Sequence, residues 1–178
     1  MITPLQTHYD IVEKSPRLYK LHVSSESLLE TLAHVTSISD FKTLSQLTCT
    51  DWIEEEIFAL NYLLTTDKRD ANLMVEIHIG RDDVTLPTLS NQFAQIEVME
   101  RELHEMFGIH FEGNETLYDF ALEDWKEIPP MRREFDTLAY VNEHYDFRGG
   151  RDDNRDVKVE MKRRRAEAKA LKEAKNES

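Results

Sequence analysis

The residue types with the most chemical potential crowd into one run, Ile96-Glu-Val-Met-Glu-Arg-Glu-Leu-His-Glu-Met-Phe-Gly108. Carboxylates, a guanidinium and an imidazole at this density are the raw material of acid–base or metal chemistry. Read as a helix, the run has an apolar stripe of Ile96, Met99, Leu103, Met106 and Phe107. Glu97, Arg101 and Glu105 then form a ladder at i, i+4 spacing on the other side, and Glu100 and Glu102 flank the arginine. The plain alternative is an amphipathic helix with a solvated charged face, the usual fate of such ladders. His104-Glu105 begins like the zinc-protease helix H-E-x-x-H, which needs its second histidine four residues on. Gly108 stands there, and His110 lies past the expected helix end, so the spacing excludes that metal site.

Other catalytic patterns fail in the same way. Asp152, Asn154 and Asp156 imitate the start of a calcium loop, but Val157 and Arg163 replace its required Gly and bidentate Glu. Neither a G-x-G-x-x-G cradle nor a G-x-S-x-G elbow is present. The seven histidines are scattered. The single cysteine, Cys49, cannot alone hold an iron–sulfur cluster or build a Cys-based zinc site, and it fits a reducing compartment. Residue chemistry alone therefore yields no active site.

Composition narrows the class further. A chain of 178 residues with 40% hydrophobic content supports one modest core plus an appendage. Its formal charge of -13 argues against nucleic acid as a partner. Residues 157–178 carry eight Lys/Arg against four Asp/Glu, so a basic tail follows an acidic body. Such a tail can dock on an acidic partner or on its own body, or stay a solvated helix. MITPLQTHYDIVEK lacks the pattern of a signal peptide, and no run approaches the ~20 apolar residues of a membrane span.

The elements that must position the charged run can be read from periodicity. Residues 17–23 alternate as a half-buried strand. Ser24 or Ser25 then caps a helix with Leu28, Leu29, Leu32 and Val35 on its buried face. Leu44–Trp52, Ile57–Thr65 and Leu73–Ile79 read as strands, although FALNYLL inside the second would also suit a helix. Asp67–Asn72 suits a hairpin turn, and Val75, Ile77 and Ile79 face the core while Met74, Glu76 and His78 face water. Arg81–Pro87 reads as loop, a helix spans Ser90 to Phe107 and stops at Gly108, and residues 109–136 are a strand end followed by irregular chain. Residues 146–156 read as linker and Val157–Lys175 as helix. The expected fold is α+β: a two-layer domain, its mixed and largely antiparallel sheet packed by helices, over residues 1–136. Residues 137–178 are expected to form a linker and a basic, extended or helical C-terminal arm.

Met99–Gly113, M-E-R-E-L-H-E-M-F-G-I-H-F-E-G, resembles the signature of the 30-kilodalton subunit family of respiratory complex I, that of its C subunit. The family includes the matching subunits of membrane-bound nickel–iron hydrogenases and archaeal deazaflavin-dependent dehydrogenases. Its pattern of E-R-E, two residues, an acid, two apolar residues and Gly fits Glu100, Arg101, Glu102, Glu105, Met106, Phe107 and Gly108. Leu47–Trp52, Met74–Phe93, Glu123–Trp125 and Pro130–Phe135 resemble its other landmarks in order, over roughly residues 17–136. The chain departs where Asn114 replaces the usual His or Lys, Tyr118 a basic residue or Pro, and Val98 a frequent Trp, which suggests a divergent branch of the hydrogenase or dehydrogenase type.

The resemblance implies a cofactor-free scaffold in the peripheral arm of a membrane-bound, ion-translocating oxidoreductase, without catalytic residues of its own. It implies packing against the large subunit (49-kilodalton or hydrogenase-large-like), beside a cluster-bearing small subunit, at the cytoplasmic face of the cell membrane. Iron–sulfur clusters and, in a hydrogenase host, a nickel–iron centre would belong to those partners, and the membrane ion-pumping subunits would be reached indirectly. Glu100, Arg101, Glu102, Glu105, Phe107, Gly108, Arg132 and Arg133 are the candidate site residues. Glu100–Glu102 with Arg132 and Arg133 either form a polar network at the large-subunit interface or tie the helix to residues 129–135 within the chain. The rival readings are a free-standing enzyme using the Glu/His helix and a stand-alone acidic protein-interaction module.

Overall fold

A computed structural model describes residues 2–82 and 84–145. The linker and basic helix expected over residues 146–178 lie outside the described residues. In chain order the elements are α1 (Thr3–Gln6), β1 (Ile11–Ser15), β2 (Leu18–His22), α2 (Leu28–Ile38), β3 (Phe41–Trp52), a 3-10 turn (Ile53–Glu55), β4 (Ile57–Thr66), β5 (Asn72–Gly80), β6 (Thr85–Pro87), α3 (Ile96–Phe107), β7 (His110–Glu112) and α4 (Thr137–His144). The chain divides into two compact units, residues 1–135 and 136–178.

In the first unit five strands form a sheet in the order β1-β2-β5-β4-β3. Neighbours pair antiparallel except β2 and β5, which run parallel because α2 and two further strands intervene between them. Alternation buries Leu73, Val75 and Ile77 of β5 and Tyr62 and Leu64 of β4. Leu28, Leu32 and Val35 of α2 and Ile96, Leu103 and Phe107 of α3 join the same core cluster. This is the expected α+β architecture, a mixed sheet packed by helices. The apolar run FALNYLL lies in strand β4 because ladders on both sides satisfy its backbone.

Several local expectations need correction. Leu29 is exposed, and Thr31 takes its place on the buried face of α2. Ser27, not Ser24 or Ser25, is the N-cap of α2; its hydroxyl bonds back to the Ser24 carbonyl and caps no helical N–H. The helix before Gly108 starts at Ile96, after a turn in which the amides of Gln92 and Phe93 both bond the Leu89 carbonyl. The stretch read as loop, Arg81–Pro87, contains β6, whose parallel partner β7 comes only after α3. Strand β1 is not legible in the sequence because four of its five residues are exposed, which leaves no alternation to read.

In the second unit the described residues form α4. Its N-cap, Asp136, accepts hydrogen bonds from the amides of Leu138 and Ala139.

Candidate functional site

Helix α3 orders the charged run into three separate sets of bonds. Its most buried residues are Ile96, Glu100, Leu103 and Phe107, which follow one another at spacings of four, three and four. Glu100 therefore sits in the apolar stripe, fully buried, and does not flank Arg101 on a wet face. Its carboxylate accepts from Thr88 Oγ1 at 2.6 Å, from the Leu89 amide at 3.0 Å and from Asn114 Nδ2 at 2.9 Å. Three donors replace the water that burial removes from a carboxylate. Asn114 Nδ2 also donates to the Glu97 carbonyl, and its Oδ1 accepts from the Thr116 amide and hydroxyl. The chain following β6, the middle of α3 and the turn after β7 thus meet at one side chain. Burial and the nearby Glu100 charge push the Tyr62 phenol upward.

The two glycines of the signature are explained at the same level. Gly108 ends α3 with φ +77°, and its amide bonds the His104 carbonyl. A Cβ there would lie 3.1 Å from Pro129 Cγ and 3.4 Å from Arg132 Nη2. Gly113 has φ +89°, and a Cβ would lie 3.0 Å from the methyl of Thr88, the residue whose hydroxyl reaches Glu100.

A second set closes the C-terminal end of α3. Arg132 Nε donates to the Phe107 carbonyl at 2.8 Å and its Nη2 to the Arg81 carbonyl at 3.1 Å, placing a cation at the negative end of the helix. The Met131 amide bonds the Met106 carbonyl. Asp51, at the end of β3, receives both arms of Arg81, at 2.7 and 2.9 Å, and the Arg133 amide at 2.9 Å. Burial works to raise the Asp51 pKa, but Arg81, the Arg133 amide and Arg132 outweigh it and hold the carboxyl below its usual range. Arg81 also pairs with Glu134, and the Arg81 and Arg132 guanidiniums lie 5.6 and 5.2 Å from the Phe58 ring centre.

The third set replaces the expected Glu97–Arg101–Glu105 ladder. Glu105 receives the amides of Phe120, Ala121 and Leu122, and Arg101 lies 4.6 Å from the Tyr118 ring and 5.2 Å from the Phe120 ring. Residues 118–122 are thereby held on the outer side of α3. Glu102 is exposed, and Arg133 is exposed while its backbone serves Asp51.

Among the described residues, no hydrogen bond or ion pair joins Glu100, Arg101 or Glu102 to Arg132 or Arg133. The tie between α3 and residues 129–135 exists, but Arg132, Met131 and Gly108 make it, with Asp51 and Arg81 completing it from the sheet. Sequence reading misses Asp51 and Arg81. The D-W at the end of β3 reads only as a landmark, and nothing local pairs Asp51 with a residue thirty positions on. Glu100 falls on the helical period between Ile96 and Leu103, but its charge argues for the wet face beside Arg101, so its burial is missed as well.

The family described as "Respiratory-chain NADH dehydrogenase, 30 Kd subunit" matches residues 21–141. The NADH-quinone oxidoreductase C subunit of Neorickettsia sennetsu is 28% identical over 142 residues, covering 79% of this chain and 76% of that protein. The NADH-quinone oxidoreductase C/D subunit of Acinetobacter baumannii is 30% identical over 89 residues, which are 50% of this chain and only 15% of that protein. A chain in the structure of the membrane-bound sulfane sulfur reductase, an archaeal respiratory membrane complex, is 26% identical, with a TM-score of 0.71 over 83% of this chain and 92% of that one. The trypsin-resistant fragment of Nqo5 shares the fold at 24% identity, with a TM-score of 0.54 over 63% of this chain and 92% of the fragment. The chain thus belongs to the family of the 30-kilodalton subunit of the respiratory-chain NADH dehydrogenase.

Proposed function

We propose that this chain is a cofactor-free scaffold subunit in the peripheral arm of a membrane-bound, complex I-like oxidoreductase, where it packs against the large subunit. The observation that carries this reading is the internal use of the signature. Glu100, Glu105, Arg132, Gly108 and Gly113 each hold two segments of this chain together, so the motif builds a rigid shape instead of presenting a reactive group. On that shape Glu102 and Arg133 offer charges, and Val98, Met131 and Ile128 offer exposed apolar surface. Apolar anchors beside charged groups suit a protein interface.

The relatives support the same reading. In the fused C/D proteins the C-type part is continuous with a D part, as their name states, which favours a large-subunit neighbour for the unfused chain. The sulfane sulfur reductase is a respiratory membrane complex, which favours attachment to the membrane through partners. Among the described residues no helix is long and apolar enough to cross a membrane. In this reading the clusters, and a nickel–iron centre in a hydrogenase host, reside in the partners, at the cytoplasmic face.

The test is affinity capture of the tagged full chain from detergent-solubilised native membranes. A large subunit and a cluster-bearing small subunit should co-purify, and the chain separated from them should carry neither iron nor flavin absorbance. Recovery of the chain alone, from membranes in which the complex is intact, would favour a stand-alone acidic interaction module.

A further inference from the structure

His22 lies on β2 in parallel register with Glu76 on β5, so their side chains leave the same face of the sheet. His78 follows Glu76 by two residues and shares that face. The core-facing residues of β5 are Leu73, Val75 and Ile77, which puts the trio on the opposite, open side. One ligand atom from each of His22, Glu76 and His78 falls within 4.8 Å of the other two. His78 Nε2 is 3.1 Å and His22 Nδ1 3.6 Å from the same carboxylate oxygen, Glu76 Oε1, and the two rings meet edge to face at 4.5 Å.

These dimensions approach a ligand set. The ligand–ligand edge of a tetrahedral site with bonds of about 2.0–2.1 Å is about 3.3 Å. Small rotations of two exposed imidazoles would close the remaining gap. The donors stand on two hydrogen-bonded strands, whose backbones fix their spacing. Asp10, Val12, Lys14 and Lys20 line the same hollow, which leaves water room to complete the shell. On β4, Asn61 is in register beside Glu76, and its buried Oδ1 has no hydrogen-bond partner among the described residues. Lys20 Nζ occupies Glu76 Oε1 at 2.8 Å and so acts as a built-in competitor for any cation.

We propose that His22, Glu76 and His78 form a mononuclear site for a divalent transition-metal ion, zinc by its two imidazoles and one carboxylate. The site lies outside the family signature and does not depend on the scaffold reading. Lys20 moderates its affinity, because the ammonium must leave Glu76 when the metal arrives.

Zinc chloride titrated calorimetrically into the full chain, stripped beforehand with chelator, tests the site. The expected result is one saturable equivalent, weakened at least tenfold by His22→Ala and by His78→Ala, and tightened severalfold by Lys20→Met. The lysine variant retains every ligand, so it tests the site independently of any loss of folding in the histidine variants. Melting curves without metal show that each variant is folded. Absence of saturable binding would overturn the proposal. So would unchanged binding in the doubly substituted His22→Ala/His78→Ala chain, which would place an adventitious ion elsewhere, or a Lys20→Met chain that binds no tighter.

Discussion

Asn114 Nδ2 donates to Glu100 Oε2 at 2.9 Å, and both side chains are buried. The residue read as departing from the usual His or Lys is therefore a direct partner of a fully buried residue in the signature. Tyr118, the second departure, lies against Arg101 of the same signature. Both positions read as departures in the sequence thus touch residues of α3.

Removing the Glu100 carboxylate should be among the most damaging single changes in the chain. Glu100→Ala would leave the Thr88 hydroxyl, the Leu89 amide and Asn114 without their acceptor, a loss of about 3 kcal/mol. Glu100→Gln keeps the shape but turns an NH2 toward one of three donors, and should cost about 1–3 kcal/mol. Asn114→Ala should also be costly, about 1–3 kcal/mol, because it removes one donor to Glu100 together with the bonds to the Glu97 carbonyl and to the Thr116 amide and hydroxyl. Chemical denaturation of the two single variants and the double variant should give a coupling energy of about 1 kcal/mol or more. Strict additivity would show that the contact contributes nothing.

The glycines should separate by backbone conformation. Gly108→Ala and Gly113→Ala each impose a side chain on a positive φ, costing about 1–2 kcal/mol before any clash with Pro129 or Thr88. Gly80→Ala meets nothing within 4 Å and should be close to neutral. Thermal melting of the three variants checks the ranking, and equal losses at all three positions would refute it.

How much of the fold and the site is legible in the sequence depends on the range of the interaction. Strand β5 is legible because its buried residues alternate, whereas β3 buries Phe41, Leu44, Leu47 and Asp51 across two register shifts and β4 buries Phe58, Ala59 and Leu60 in succession, so neither shows a clean alternation. The Gly108 stop is legible because helix ends carry a local signature. Asp51, Arg81 and the Arg133 amide are not, since they come from three distant segments that only the folded sheet and the 129–135 segment bring together. The pairing of β6 with β7 is hidden because α3 lies between two three-residue strands. Glu100 shows a different failure. Its position obeys the helical period, but its charge argues for the wet face, and three hydrogen bonds reverse that preference. The trio of His22, Glu76 and His78 is invisible because the parallel register of β2 and β5 is set by tertiary structure.

Asp51 should make stability acid-sensitive. Its folded-state pKa lies below the unfolded value of about 3.9, so the unfolded state binds more protons between the two values. The stabilisation is fully present above about pH 4 and is lost as pH falls through the folded value. Unfolding free energies measured from neutral pH downward should fall less steeply below about pH 4 in Asp51→Asn than in the wild type. The same variant should be less stable near neutrality, because it loses the charged partner of Arg81. Parallel acid limbs would assign the acid response to other carboxylates.

Cys49 should be almost inert in the folded chain. Burial, reinforced by the Asp51 charge and only partly offset by Arg132, pushes its thiol up to about 12. The thiolate is the reactive species, so near neutral pH its population should be about a thousandfold below that of an unperturbed cysteine. Alkylation by iodoacetamide should be correspondingly slow in native buffer and rapid in denaturant. Asp51→Asn removes the nearby negative charge and should raise the native rate where the variant remains folded. Fast native labelling at the unfolded rate would show that β3 opens locally at Cys49.

Glu105 should control the order of the loop it holds. Its carboxylate receives three consecutive amides, Phe120 to Leu122, while Arg101 lies near the Tyr118 and Phe120 rings. Glu105→Ala removes all three acceptors at once. Amide exchange at residues 120–122 should accelerate by about tenfold or more, corresponding to about 1.4 kcal/mol of lost protection, with the sheet amides of β4 and β5 unchanged. Arg101→Ala should have a smaller effect, about 0.5–1 kcal/mol, because its ring contacts are partly solvated. If assembly with the large subunit falls in Glu105→Ala while global melting does not, the ordered loop is part of the interface. If assembly holds and only exchange changes, residues 118–122 serve this chain's own fold, and the partner surface lies with Glu102, Val98 and Met131.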